Sequence, residues 1–286
     1  MVKKVLYFIA ILSLFSCERY NLINSFIPAG DVVESRFEQS MKMTDNKPYM
    51  QISSAAEYRF YVTSDTHVNQ TTRNLTAFVE ALRNDSSVLF GVLLGDCIDA
   101  KGSFPLFAHA VEYDVATQKY DYPIMMVLGN HDTYFGAWNE FKALIGPSVY
   151  YCVVNHDNGA DLYIILDTAT GTLGGKQMQW FKEFLQQSRE QYRHCFVLTH
   201  SNLFNTDGSQ GITGSMPLDE TLELMETFRR YRVQAVLQGH DHHREDLYME
   251  GVRYTIIPSF KDSEPHPQYL VVDVDDAGIS YDWRTI

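Results

Sequence analysis

Residues 123–132, PIMMVLGNHD, combine a short buried strand with a cluster of polar side chains. The apolar run over residues 124–128 is continuous, which is typical of a strand covered on both faces. Gly129 then frees the backbone for a tight turn, and three polar residues follow at once: Asn130, His131 and Asp132. Ligands of open α/β sheets bind at the carboxyl ends of the strands. The stretch therefore predicts a functional site that contains a carboxamide, an imidazole and a carboxylate.

The same pattern of a strand followed by polar side chains occurs at four further places. We predict strands over residues 58–64, 88–94, 195–199 and 233–238. The polar residues after these strands are Asp65, His67, Asp96, His200, His240 and His242. Amphipathic helical patterns separate several of the strands, which favours a parallel sheet with crossover helices. Because carboxyl ends of parallel strands meet at one edge, we expect these residues to converge on one site.

Clustered imidazoles and carboxylates are the usual protein ligands of divalent metals. One histidine at a strand end is more often a hydrogen-bonded or surface residue, but five such strand ends are hard to explain by chance. The set has no thiolate and favours manganese, iron or zinc over calcium, which takes oxygen ligands. Seven ligands are too many for one tetrahedral ion, so we expect two divalent or trivalent ions that share a carboxylate. The seven are Asp65, His67, Asp96, Asn130, His200, His240 and His242.

Together these motifs resemble those of the calcineurin-like metallophosphoesterase family. The matching blocks are Asp65-x-His67, Gly95-Asp96, Gly129-Asn130-His131-Asp132, Thr199-His200 and Gly239-His240-x-His242. The resemblance implies an α/β fold, a four-layer α/β/β/α sandwich with two mixed β-sheets. It also implies that His131 faces substrate and that Asp96 bridges two metals. One metal would be held by Asp65, His67, Asp96 and His242, and the other by Asp96, Asn130, His200 and His240.

The chemistry of such a site is phosphate-ester hydrolysis, of a phosphodiester or a phosphomonoester. Two cations about 3.5–4 Å apart bind a phosphoryl oxygen and lower the pKa of a shared water, so that hydroxide attacks phosphorus in line. His131 is the candidate general acid that protonates the leaving alkoxide. We expect Asp132 to orient His131, and Asp99 to support the loop that carries Asp96. Capping of a helix or turn is the alternative for both carboxylates.

Two other functions fit the same residues: a non-catalytic metal-binding module of this fold, and a nuclease. Loss of ligands would mark the first, and none is missing. The net charge of −13 disfavours the second, because a broad grip on nucleic acid needs basic surface. We therefore expect a small phosphate ester as the partner and no nucleic acid. The sequence leaves monoesters, diesters, pyrophosphates and phospholipid head groups open, as well as the oligomeric state.

Residues 1–16 have the features of a signal peptide. Lys3 and Lys4 precede an apolar run over residues 5–15, which has the length of a signal-peptide core and is too short to span a bilayer. The segment resembles a bacterial lipoprotein signal, in which cleavage precedes Cys17 and that cysteine is lipidated. An ordinary secretory signal or a short membrane anchor is the alternative. A lipid would tether the mature chain to a membrane of the bacterial cell envelope, at the periplasmic or the outer surface.

The rest of the chain completes the predicted organisation. Residues 17–57 are expected to form a tether and then a peripheral segment with a short helix over residues 32–43. Residues 58–286 are expected to form the metallophosphoesterase domain, since 45% hydrophobic content suffices for one large core. We predict a β-hairpin around residues 155–159. The glycine-rich loop over residues 201–215 is long enough to form a lid over bound substrate. The odd count of Cys97, Cys152 and Cys195 argues against a disulfide framework.

Overall fold

The computed structural model describes residues 31–114, 119–120, 122–204 and 215–286. The predicted signal peptide over residues 1–16, the lipidation of Cys17 and most of the predicted lid lie outside the described residues. Within the described ranges, no helix combines the length and the apolar character that a bilayer span requires.

Fourteen strands and six α-helices are present in these ranges. The strands are β1 (Met50–Ser53), β2 (Tyr58–Thr63), β3 (Val88–Leu93), β4 (Tyr113–Asp114), β5 (Lys119–Tyr120), β6 (Ile124–Met126), β7 (Tyr150–His156), β8 (Gly159–Ile165), β9 (Cys195–Leu198), β10 (Ala235–Gln238), β11 (Glu245–Met249), β12 (Val252–Ile256), β13 (Gln268–Asp275) and β14 (Gly278–Thr285). The helices are α1 (Val33–Thr44), α2 (Arg73–Asn84), α3 (Phe104–Ala110), α4 (Trp138–Leu144), α5 (Gly174–Ser188) and α6 (Leu218–Arg230). Two 3₁₀ segments cover His131–Gly136 and Arg189–Gln191.

Two mixed sheets form the centre of the fold. The larger has the strand order β1-β7-β8-β9-β10-β12-β11, and the smaller has the order β14-β13-β2-β3-β6. The inner strands of each sheet are parallel, from β8 to β12 in the larger and from β2 to β6 in the smaller. Antiparallel partners flank them, including the predicted hairpin of β7 and β8. The two mixed sheets agree with the predicted fold class.

Aromatic side chains fill the space between the two sheets. Phe60 stacks on Phe90 with ring centroids 4.9 Å apart, and Tyr163 stacks on Phe196 at 4.5 Å. Edge contacts join the two pairs across the interface, with Phe60 and Tyr163 at 5.6 Å. Each such pair contributes about 0.5–1.5 kcal/mol beyond the area that it buries. The outer faces of the sheets are therefore free to pack against helices.

Each sheet carries one layer of helices on its outer face. Phe78 of α2, Phe104 of α3 and Trp138 of α4 are fully buried against the smaller sheet. Phe181 of α5 and Phe228 of α6 are buried against the larger sheet. The periodic apolar residues of these helices face inward, in agreement with the four-layer α/β/β/α sandwich that the family resemblance implies.

The segment before residue 58 is more closely integrated than expected. The helix predicted over residues 32–43 is present as α1, which contacts α5. The strand β1 was not predicted, and it pairs in parallel with β7 at the edge of the larger sheet. Along β1, residues of intermediate burial alternate with exposed residues, so the sequence of the strand carries a weak hydrophobic pattern.

Candidate metal centre

All seven predicted metal ligands come together at the carboxyl ends of five strands. Strands β2, β3 and β6 are neighbours in one sheet, and β9 and β10 are neighbours in the other. The loops that follow them therefore meet across the gap between the sheets. Three groups of residues have ligand atoms within 4.8 Å of one another. The first is Asp65, His67 and His242, and the second is Asp96, His200 and His240. The third is His67, Asp99 and His131, and it contains one of the seven predicted ligands.

The first group is arranged around one point. His242 Nε2 lies 3.1 Å from His67 Nε2 and 3.2 Å from Asp65 Oδ1. His67 Nε2 lies 3.7 Å from Asp96 Oδ2. Ligand atoms bound at about 2.0–2.2 Å to one metal lie about 3–3.5 Å from one another. The spacing of these atoms is thus suited to a single cation.

The second group includes the carboxamide of Asn130. Its Oδ1 atom lies 3.0 Å from His200 Nε2 and 2.9 Å from His240 Nδ1. The two imidazole nitrogens are 3.2 Å apart, and His200 Nε2 is 3.5 Å from Asp96 Oδ1. Asp96 thus presents one carboxylate oxygen to each group, as the predicted bridging role requires.

Unpaired polar atoms and pKa shifts both indicate that the site requires positive charge. Asp65 Oδ1 is buried and lacks a hydrogen-bond partner among the described residues, which is costly without a cation. Burial disfavours a charged His200, but the charge and hydrogen bond of Asp96 prevail and raise the pKa of His200 to about 10. Burial and the nearby His200 lower the pKa of His240 to about 4. The donor set therefore fits divalent metal ions.

Five of the seven ligand residues have a left-handed backbone conformation. Their φ angles are 53° for Asp65, 44° for His67, 48° for Asp96, 72° for His240 and 62° for His242. Residues other than glycine adopt this region at a cost of order 1–3 kcal/mol each, and such residues concentrate at functional sites. The sequence offered no direct indication of this feature, although aspartate and histidine tolerate it better than bulky residues do.

Gly129 and Gly239 allow close approach of the ligand loops. A Cβ atom on Gly129 would lie 2.1 Å from the backbone nitrogen of Asp96, and one on Gly239 would lie 2.0 Å from Ser64 Oγ. The predicted reason for Gly129, freedom for a tight turn, needs correction because its φ angle is not in the positive range. The residue is required instead because Asp96 packs directly against it.

Hydrogen bonds to the other end of the side chain fix the orientation of two ligands, His200 and Asn130. His200 Nδ1 donates to the carbonyl oxygen of Leu94 at 2.7 Å, which leaves Nε2 for the cluster. Asn130 Nδ2 donates to the Tyr134 hydroxyl at 2.8 Å, which leaves Oδ1 for the cluster. Such partners determine which atom of the side chain faces the metal, and they raise the basicity of that ligand. Tyr134 was not among the predicted site residues, because its hydroxyl reaches Asn130 only through the 3₁₀ segment.

Asp132 makes contacts different from those predicted. Its fully buried carboxylate accepts hydrogen bonds from the backbone N–H groups of Gly129 at 2.9 Å, Ile98 at 3.2 Å and Cys97 at 3.3 Å. Burial, together with the charge of Asp96, raises the pKa of Asp132 to about 7. Asp132 therefore joins the turn before Asn130 to the loop after Asp96, rather than orienting His131.

Asp99 is the carboxylate next to His131. His131 Nδ1 lies 3.1 Å from the backbone oxygen of Asp99 and 3.6 Å from its Oδ1 atom. The same Oδ1 atom lies 3.8 Å from His67 Nδ1. The two carboxylates thus exchange the roles predicted for them, with Asp132 supporting the Asp96 loop and Asp99 contacting His131. The His131 side chain remains 29% exposed, so substrate can reach it.

The fold and the site together define a metal-dependent hydrolase of the α/β/β/α sandwich class. The family model of the calcineurin-like phosphoesterases matches residues 58–244, so the chain belongs to that family. It is accordingly a metallophosphoesterase, and the His and Asp groups described above are able to bind the divalent metals that the family uses.

Two solved structures illustrate how widely this fold is used. GAP50, an anchor in the inner membrane complex of Plasmodium, is 16% identical with a TM-score of 0.63 over 80% of this chain and 85% of that chain. A putative 5'-nucleotidase from Staphylococcus aureus is 14% identical with a TM-score of 0.52, over 80% of this chain and 54% of that chain. Identities this low show the shared fold alone. A comparison with curated proteins found no match.

Proposed function

We propose that this protein hydrolyses phosphate esters with two metal ions that share Asp96. The observation that carries the proposal is the position of Asp96, which offers Oδ2 to His67 at 3.7 Å and Oδ1 to His200 at 3.5 Å. Each side of that carboxylate is completed by a further carboxylate or amide oxygen and a further imidazole. A pair of divalent cations supplies charge neutralisation at the phosphoryl oxygens and lowers the pKa of water.

His131 is the proposed proton donor to the leaving alkoxide. It follows Asn130 in sequence, and its backbone N–H donates to Asp96 Oδ1 at 2.8 Å. That hydrogen bond fixes the residue beside the centre while leaving its imidazole outside both ligand groups. The contact of Nδ1 with Asp99 orients the ring, so that Nε2 can face substrate.

Metal-dependent turnover is the direct test. The metal-depleted protein is assayed on bis(p-nitrophenyl) phosphate and p-nitrophenyl phosphate, with and without added Mn²⁺. We expect turnover that requires metal, and its loss in Asp96→Asn together with loss of affinity for both ions. Asp246→Asn, at an exposed ion pair on β11, is the control and retains activity.

Absence of metal-dependent turnover on several esters would favour a non-catalytic metal-binding module. Two bound ions with unchanged affinity in Asp96→Asn would contradict the bridge. Metal-dependent cleavage of single-stranded DNA that is lost in His131→Asn would instead support a nuclease.

We also propose that a lipid on Cys17 tethers the protein to a membrane of the bacterial cell envelope. The support is the apolar run over residues 5–15, which is separated from Cys17 by Ser16 alone. We expect the native protein to incorporate labelled fatty acid and to sediment with membranes, and Cys17→Ala to do neither. Equal membrane association of the variant would overturn this proposal.

A further inference from the structure

A solvent-accessible cleft adjoins the metal centre on the side of His131. Its volume is about 770 Å³, and His67, His131 and His242 form the wall next to the ligands. The rest of the lining is formed by polar residues and includes Gln70, Thr71 and Lys261. If His131 protonates the leaving group, as the proposed function holds, then the leaving part of the substrate lies in this cleft.

Lys261 is held on a loop that is fixed to the metal centre and to α2. On one side, the backbone N–H of Phe260 donates to the carbonyl oxygen of Ser64 at 3.0 Å. On the other, the Asp262 carboxylate accepts from the backbone N–H groups of Arg73 at 2.9 Å and Asn74 at 2.8 Å. The carbonyl oxygen of Lys261 itself accepts from Asn74 Nδ2 at 2.8 Å. These hydrogen bonds fix the backbone on both sides of Lys261.

The charges in the cleft leave Lys261 available for an anion. Asp262 is engaged by the N-terminus of α2, and Asp99 contacts the imidazoles. Lys261 Nζ lies 3.6 Å from Glu264, but both side chains are about one-third exposed, so water and substrate compete with this pair. Among the described residues that line the cleft, Lys261 is the only lysine or arginine.

We propose that Lys261 binds a second anionic group on the leaving part of the substrate. The inference rests on the proposed function and narrows it to phosphate esters of small hydrophilic alcohols that carry a carboxylate or a further phosphate. The polar side chains that line the cleft suit such an alcohol better than an aromatic or aliphatic one. The phosphoryl group that reacts would lie at the metal centre, and the second anion would contact Lys261 in the cleft.

The test compares ligands that differ in the second anion alone. Thermal-shift titration of the Mn²⁺-loaded full-length protein gives apparent affinities for 3-phosphoglycerate against glycerol 3-phosphate, and for fructose 1,6-bisphosphate against fructose 6-phosphate. The first pair reports on a carboxylate and the second on a phosphate. We expect at least one ligand with the second anionic group to bind about tenfold more tightly than its partner without it. Lys261→Gln should reduce that ratio to less than about twofold, and Lys261→Arg should restore most of it.

Lys182→Gln is the matched control, because Lys182 is exposed and paired with Glu223 on the outer helices. It should leave the ratio unchanged. Equal affinity within both pairs in the native protein would overturn the proposal, as would an equal loss for both members of a pair in Lys261→Gln. Metal-dependent hydrolysis of bis(p-nitrophenyl) phosphate, whose leaving group carries no anion, is measured in native protein and in Lys182→Gln, and turnover without any preference for a second anion would overturn this inference alone. That assay separates a failure of this inference from a failure of the proposed function.

Discussion

His131 and Asn130 are adjacent in sequence but have separate surroundings in the structure. Asn130 Oδ1 lies between two imidazoles of the second ligand group, whereas the His131 ring contacts Asp99 and remains accessible. The proposed function therefore assigns proton transfer and metal binding to different side chains. This separation makes it possible to remove one function without the other.

His131→Ala should retain both metals and lose most activity toward esters with poor leaving groups. General acid catalysis contributes about 10²–10⁴-fold, and a leaving group of low pKa does not need it. The measurement compares kcat on an alkyl and a p-nitrophenyl ester, together with metal content. His109→Ala, at an exposed histidine on α3, should change neither. An equal loss on both esters would remove His131 from the general-acid role.

Gly129→Ala should disturb both metal groups at once. The added methyl would meet the backbone and the carboxylate of Asp96 at 2.1 and 2.2 Å, so the shared ligand must move. Overpacking of this kind costs about 1–3 kcal/mol of folding free energy. We expect weaker Mn²⁺ binding in equilibrium dialysis and a lower urea midpoint. Gly175→Ala, where the nearest atom is 3.7 Å away, is the control, and equal effects in the two variants would refute the explanation.

The identity of the site residues was predictable from sequence, but the pairing of the carboxylates was not. Asp99 and Asp132 each follow a ligand by two or three positions, so spacing alone treats them alike. Which carboxylate meets His131 depends on how the loops after β3 and β6 pack against each other. That packing is a tertiary property.

At the scale of elements, a buried ion pair attaches α1 to the carboxyl end of β8. Arg36 Nε and Nη2 donate to Asp167 at 2.7 and 2.8 Å, and both side chains are fully buried. The two partners are 131 residues apart in sequence. Removal of one partner from such a pair leaves the other charge buried and uncompensated, which lowers the stability of the fold.

Arg36→Met should destabilise the protein by about 3–5 kcal/mol, because it leaves the Asp167 carboxylate buried without its partner. The double variant Arg36→Met with Asp167→Leu should recover much of that loss. Urea denaturation of the single and double variants measures the difference. Arg232→Met, at an exposed pair with Glu190, is the control and should leave the midpoint unchanged. A single variant as stable as native protein would contradict the predicted role.

Long periodic elements were predicted more accurately than short ones. Helix α1, predicted over residues 32–43, and the β7–β8 hairpin, predicted around residues 155–159, lie close to their predicted bounds. Strand β1 was missed, because a half-buried edge strand of four residues has little hydrophobic pattern and takes its conformation from its neighbour β7.

For the whole molecule, the metal centre lies at one edge of the sandwich and the apolar clusters lie elsewhere. Three such clusters fill the space between the sheets and under each helical layer. The core therefore does not depend on metal for its packing. The ligand edge does depend on charge, since it gathers two carboxylates with strained backbones in a buried position.

Chelation should lower the melting temperature without unfolding the protein. Bound metal at about 1,000 times its Kd stabilises the native state by about 4 kcal/mol, which corresponds to about 10 °C for a domain of this size. Circular dichroism with and without EDTA measures the shift, and added Mn²⁺ should reverse it. Complete unfolding on chelation would show that the metals are part of the core, and no shift after confirmed metal removal would argue against a site of this affinity.

The sequence by itself determined which polar residues follow the buried strands, including the seven candidate ligands, because strand ends and hydrophobic periodicity are local patterns. The family and the four-layer architecture were predictable because these motifs resemble those of the calcineurin-like metallophosphoesterases. Only the tertiary structure decided how the ligand atoms divide into two groups around Asp96, which carboxylate contacts His131, and where Lys261 stands relative to them. The physical reason is that these relations join loops that are far apart in sequence. Their distances follow from the packing of two sheets, and no local pattern contains them.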